Sequence, residues 1–219
     1  MPNLHNLSAQ NSILNHFIAE LRDANIQTDA MRFRKNLERI GEVMALKISE
    51  HLHYQPAEVE TPLGTAETFL LAQQPILATI LRAGLPMHTG MLNYFDRAGN
   101  AFVSAYRKHH RDGSFEINVE YVSCPDLTDK VLIIADPMLA TGSSMEIAVR
   151  ELMKHGNPAS IHIAVAIAAA DGVEYIRQHL PFVHVWVCAI DQELTAKSFI
   201  VPGLGDAGDL AFGVKYWGE

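Results

Sequence analysis

The chain has 219 residues, with 25 acidic against 17 Lys and Arg side chains and a formal charge of −8. That balance argues against a general nucleic-acid surface, which needs clustered Lys and Arg. Hydrophobic residues at 48% with charged residues at 19% describe a chain that buries a core and exclude a disordered one.

Cys124 and Cys188 are the only cysteines, too few for a disulfide framework, so a reducing, cytoplasmic setting is expected. Both read as apolar fillers rather than nucleophiles. No charged region precedes an apolar run in residues 1–10, so no secretory signal is expected. The longest apolar run, 161–170, is half the ~20 residues of a membrane helix and reads as a buried strand.

In chain order, 8–22 and 28–53 read as helices. In the second, Leu37, Ile40, Met44 and Ile48 recur three and four apart and form one apolar stripe. Residues 56–62 read as a short extended arm. Then follow a strand at 76–81, a helix at 86–95 and a strand at 102–106, with a polar hairpin turn at 107–113 and a return strand at 115–122. Strands at 131–135, 160–169 and 183–190 alternate with helices at 143–154 and 172–179. Continuous apolar strands alternating with helices predict an α/β fold, a largely parallel twisted sheet flanked by helices. The length fits one domain: N-terminal helices and arm at 1–62, an α/β core at 63–190 and a Gly-rich C-terminal appendage at 191–219.

The segment VLIIADPMLATGSSM, residues 131–145, concentrates the chemistry. An apolar strand delivers Asp136 at its end, and Ala140, Thr141, Gly142, Ser143 and Ser144 turn into a helix start. An unpaired helix N-terminus offers backbone N–H groups and a positive dipole end to an anion. The hydroxyls add donors, and a carboxylate suits sugar hydroxyls better than phosphate. An ordinary strand-to-helix turn with a Ser N-cap has the same local pattern.

With these residues in view, the chain resembles the type I phosphoribosyltransferases. Ile80-Leu81-Arg82-Ala83-Gly84-Leu85 with Gly90-Met91-Leu92, the Tyr106-Arg107 pair and the run IVPGLGDAGD at 200–209 narrow this to the uracil phosphoribosyltransferase family. The last segment also fits G-x-G-x-x-G, but only eleven residues follow Gly208, which leaves no room for a dinucleotide-binding unit.

The resemblance implies condensation of uracil with 5-phosphoribosyl 1-diphosphate (PRPP) to give UMP and diphosphate. It implies that Asp136, Pro137, Met138, Leu139, Ala140, Thr141, Gly142, Ser143 and Ser144 bind ribose and 5-phosphate, and that Arg82 and Arg107 bind the diphosphate. Ile200, Gly205, Asp206 and Ala207 would bind uracil through the backbone, with Asp206 also reaching PRPP. Asp136, Arg107 and Asp206 are the catalytic candidates. Many type I relatives carry two adjacent acids where this chain has Asp136-Pro137, so one carboxylate serves the ribose.

Mg²⁺ is expected as the cofactor, carried in by PRPP oxygens rather than by a protein cage. His109-His110 and His51-x-His53 lack the companion ligands of a zinc site. The basic tip Lys108-His109-His110-Arg111 reads either as a lid over the polyanion or as a solvated turn. The amphipathic N-terminal helices point to a homodimer or higher homo-oligomer, with no nucleic-acid or membrane partner. A non-catalytic or RNA-binding pyrimidine regulator on the same fold is the alternative; it predicts a basic face and no uracil segment.

Overall fold

The computed structural model describes residues 3–109 and 115–214, and the side chains of 105–119 lie outside that description. Seven strands form the main sheet. In chain order they are β1 (Leu4–Asn6), β4 (Ile76–Leu81), β5 (Gly99–His109), β6 (Phe115–Ser123), β7 (Val131–Leu139), β8 (Ser160–Ala169) and β9 (His184–Asp191). Their spatial order is β1-β9-β8-β7-β4-β5-β6. Every neighbouring pair is parallel except the β5–β6 hairpin. Two small antiparallel ribbons lie outside this sheet: β2 (Tyr54–Thr61) with β3 (Gly64–Leu71), and β10 (Glu193–Leu194) with β11 (Ile200–Val201).

The sheet is covered on both faces, as continuous apolar strands require. Alternate residues of β7 supply two cores: Ile133 and Ala135 join one, Leu132 and Ile134 the other. The first core takes α1 (Leu14–Arg22), α2 (Ala30–Ser49) and α3 (Leu85–Leu92), together with Ile200 and Leu204. α6 (Ala207–Phe212) also joins it, through Ala207 and Ala211. The second core takes α4 (Ser143–Leu152) and α5 (Ala170–His179). Asp29 caps α2 by accepting from the Met31 and Arg32 N–H groups at 3.0 Å.

Several expectations change. The helix expected at 8–22 is α1 at Leu14–Arg22 only, and before it Leu4–Asn6 forms the edge strand β1, because Leu4, His5 and Asn6 pair with Val185, Trp186 and Val187. The arm is a full hairpin ending at Leu71, so position 62 falls at its turn. The α2 stripe of Leu37, Ile40, Met44 and Ile48 is fully buried in the chain's own core. Exposed large apolar side chains remain both in the N-terminal helical region, at Ile13, Met31 and Leu46, and on the arm, at Leu63, Phe69 and Leu70.

At the N-terminal ends of the strands, four histidines gather around Trp186. His5 stacks on the indole at 3.8 Å between ring centroids, and His51 meets it edge-on at 4.9 Å. His184 stacks on His162 at 4.9 Å, and Trp186 Nε1 donates to His162 Nδ1 at 3.1 Å. Burial holds His162 neutral and pushes it down to about 3. His51 is thus a ring-packing residue. Among the described residues no group of three or more His, Cys, Asp or Glu converges as a metal site.

Candidate active site

Strand order reverses at β4. The chain passes from β4 to β5 and β6 on one side, then returns to place β7 on the other. A crevice opens at the carboxyl ends of the strands that flank such a switch point, and ligands bind there in open α/β sheets. Here β4 and β7 stay paired only as far as Thr79↔Ala135, while β4 continues beside β5 to Leu81↔Ser104. β7 in turn stays paired with β8 to Leu139↔Ala168. Asp136, Pro137, Met138 and Leu139 are therefore an extended edge facing the crevice. The sequence reading ended this strand at Ala135; pairing with β8 carries it four residues further.

Asp136 is half-buried at this edge. Loss of solvent pushes its carboxyl up to about 7, and the Met138 N–H pulls in the opposite direction. Ala140 and Thr141 lead to Gly142, whose φ of 88° is the left-handed conformation that glycine adopts without strain. A Cβ here would also lie 2.7 Å from Tyr175 Cδ1. Tyr175 is held by donating to Glu146 at 2.6 Å, a support that sequence spacing does not reveal.

Gly142 is the N-cap of α4, and no side chain caps the helix. The Ser N-cap alternative fails. Thr141 and Ser143 instead bond each other through their hydroxyls at 3.0 Å. The first free N–H groups of α4 thus open beside Asp136, Thr141, Ser143 and Ser144.

On the other wall, Arg82 follows β4 across a cis Leu81–Arg82 bond. Gly84 lets this loop sit directly on the sheet, since a Cβ would lie 2.1 Å from Thr79 Oγ1 and 2.6 Å from the Ala135 carbonyl. Arg82 Nη2 donates to the Gly213 carbonyl at 3.0 Å and approaches Asp209 at 3.5 Å. Its Nε is buried without a partner among the described residues. Arg107 lies on β5 opposite Ile117; its side chain and the tip 110–114 lie outside the described residues.

The C-terminal segment closes over the same loop. Ile200 pairs with Leu194, Val201–Pro202 is a cis bond, and Gly205 leads to Asp206. Asp206 caps α6 by accepting from the Asp209 N–H at 3.0 Å, so Ala207 begins a helix. A methyl on Gly208 would lie 4.0 Å from that of Ala83. The expected uracil segment and the expected diphosphate loop are therefore neighbours, 124 residues apart in sequence (83 to 207).

Cys188 is buried in the core with its thiol pushed up to about 12, and half-buried Cys124 is also raised by desolvation. Neither is prepared as a nucleophile. Cys124 is less buried than a filler, with Sγ donating to Pro125 O at 3.2 Å.

This architecture is that of the type I phosphoribosyltransferases. A hypoxanthine phosphoribosyltransferase from Staphylococcus aureus shares the fold at TM-score 0.51 and 11% identity, over 84% of each chain. The match that decides the branch is in sequence: the model of the family "Uracil phosphoribosyltransferase" matches residues 8–214. A uracil phosphoribosyltransferase from Porphyromonas gingivalis is 56% identical over 95% of this chain and 97% of its own. One from Pyrococcus furiosus is 37% identical over 90% and 84%. A solved structure from Aquifex aeolicus superposes at TM-score 0.86 with 30% identity, covering 98% of this chain and all of that one. The chain belongs to the uracil phosphoribosyltransferase family.

Proposed function

We propose that this protein transfers the phosphoribosyl group of PRPP to N1 of uracil, giving UMP and diphosphate. The observation that carries this reading is the meeting, at one switch-point crevice, of an uncapped α4 N-terminus, the Arg82 loop and a glycine-rich C-terminal segment. These suit a phosphate, a diphosphate and a flat base respectively.

In the reaction the ribose C1–oxygen bond to diphosphate breaks, the C1–N1 bond forms, and the N1 proton leaves. Positive charge develops at C1, so catalysis rests on holding the leaving group, excluding water and aligning the base. Asp136 holds the ribose hydroxyls. The N–H groups and hydroxyls from Ala140 to Ser144 hold the 5-phosphate. Arg82 and Arg107 hold the diphosphate, for which the planar guanidinium suits paired oxygens. Arg82 then exchanges its bonds to Gly213 and Asp209 for diphosphate oxygens.

Uracil presents acceptor, donor and acceptor along O2, N3–H and O4. The backbone of Ile200, Gly205, Asp206 and Ala207 complements that edge, and cytosine reverses it at N3 and position 4, leaving like groups facing. The Asp136 carboxylate, a hard oxygen donor at the crevice edge, fits a hard cation. Mg²⁺ would be held by PRPP oxygens and water, with Asp136 at the ribose edge, and supplies charge neutralisation on the leaving diphosphate.

Residues 1–219 act as one domain, and the exposed apolar side chains of the β2–β3 arm support a homodimer. No described helix is long and apolar enough to cross a membrane, in keeping with a cytoplasmic enzyme. The test is incubation with PRPP and Mg²⁺ and, in parallel, uracil, cytosine, orotate or hypoxanthine. UMP from uracil alone is expected; its absence at high enzyme concentration overturns the reading.

A further inference from the structure

Gly203 lies two residues before Gly205, and both of its main-chain polar groups are taken by one ion pair from elsewhere in the chain. Arg22, the last residue of α1, donates to both carboxylate oxygens of Asp191, at 2.7 and 2.8 Å. The same Arg22 Nη1 donates to the Gly203 carbonyl at 3.0 Å. Asp191, the last residue of β9, accepts from the Gly203 N–H at 2.9 Å through Oδ2. The Asp191 side chain is 8% exposed and that of Arg22 22%, so the pair is shielded from solvent and its geometry is held by four hydrogen bonds.

A second guanidinium holds the far end of the same stretch. Arg34 of α2 donates to the Ala211 carbonyl at 2.6 Å. Between these anchors, Gly205 and Asp206 are exposed and make no bond to the sheet among the described residues, while Leu204 and Ala207 are buried. The backbone path from Gly203 to Ala207 is thus held at Gly203 from α1 and β9, and at its other end by the Asp206 cap of α6.

We propose that Arg22 and Asp191 are positioning residues for base selection, fixing the backbone donors and acceptors of Gly205, Asp206 and Ala207 in register with the uracil edge. This rests on the reading that this segment holds the base. A misplacement of even 1 Å in such a backbone site weakens each hydrogen bond to the ligand. Among the described residues the pair makes no hydrogen bond to Arg82 or to the Asp136–Ser144 loop, so its loss acts first on uracil and reaches PRPP only through Asp206.

The experiment measures kcat and both KM values for Arg22→Gln, Asp191→Asn and Ala207→Val, with amide hydrogen exchange on each. Asp191→Asn keeps an acceptor for the Gly203 N–H and gives a milder variant than Arg22→Gln. Each clamp variant is expected to raise the uracil KM about tenfold, with kcat at saturating uracil and the PRPP KM within about twofold. Exchange is expected to quicken at 203–207 while β8 stays protected. An unchanged uracil KM, a matching rise in the PRPP KM, or loss of β8 protection in both clamp variants overturns the proposal. Ala207→Val separates the two readings. If it raises the uracil KM and the clamp variants do not, the clamp alone fails; if it also leaves the KM unchanged, the base site lies elsewhere.

Discussion

Thr79 Oγ1 donates to the Ala135 carbonyl at 3.0 Å, on the last rung joining β4 to β7 before the crevice opens. The same hydroxyl is what a Cβ on Gly84 would strike first. One buried side chain therefore bonds the strand that carries Asp136 and lies directly beneath the Arg82 loop at Gly84. Thr79→Val keeps the shape and strands the Ala135 carbonyl, a cost of about 1–2 kcal/mol. The melting midpoint should fall by about 4 °C and the PRPP KM should rise. A melt and a kinetic trace indistinguishable from the parent protein would remove Thr79 from the site.

Asp136 is raised to about 7 by burial, while the unfolded carboxyl ionises near 3.9. Between these values the folded state binds the extra proton, so the carboxyl costs increasing stability as pH rises and a constant amount above about 7. Asp136→Asn removes that slope. The variant should melt above the parent at pH 8, with the advantage shrinking towards pH 4. Its kcat/KM for PRPP should drop about 100-fold, and parent activity should decline as pH falls through about 7. A variant that melts lower at pH 8 would make Asp136 structural.

Arg82 offers a contrast between a surface ion pair and a ligand. Its 3.5 Å approach to Asp209 involves side chains 37% and 33% exposed, an interaction worth under about 1 kcal/mol. Arg82→Gln should leave the melting midpoint within about 3 °C and lower kcat/KM for PRPP about 100-fold. Full activity with a lower midpoint would assign Arg82 to holding the C-terminus alone.

The histidines around Trp186 set an acid limit. Burial lowers His5, His162 and His184, with His162 at about 3, while unfolded histidine titrates near 6.5. Below 6.5 the unfolded chain binds more protons, so their contribution to stability is lost progressively as pH falls from 6.5 towards 3. His162→Asn keeps an acceptor for the Trp186 N–H and removes the titrating ring. Its melting midpoint should depend less steeply on pH between 6.5 and 5 than the parent's; an identical slope would show that His162 does not titrate on unfolding.

Much of the sheet was legible because buried strands leave an unambiguous mark. Ile76–Leu81 and Ser160–Ala169 stand as the apolar runs predict. Short or exposed strands leave none: β1 exists because β9 offers Leu4, His5 and Asn6 an open edge, and β3 because β2 lies opposite it. The candidate residues of the Asp136 loop share one stretch of chain, so their grouping could be read directly. Arg22, Thr79 and Asp191 could not be found that way, since Arg22 and Asp191 are 169 residues apart.

The amino-acid sequence by itself determined the chemistry available: one carboxylate before a hydroxyl-rich helix start, an Arg beside small residues, and a glycine-rich C-terminal run. Local spacing suffices for this, because strand ends, helix starts and close backbone approach depend on residues near in sequence. Only the tertiary structure decided that these pieces share a crevice. The reversal of strand order at β4, the rung at Thr79 and the Arg22–Asp191 clamp arise from packing and hydrogen bonding between distant segments, which no local pattern encodes.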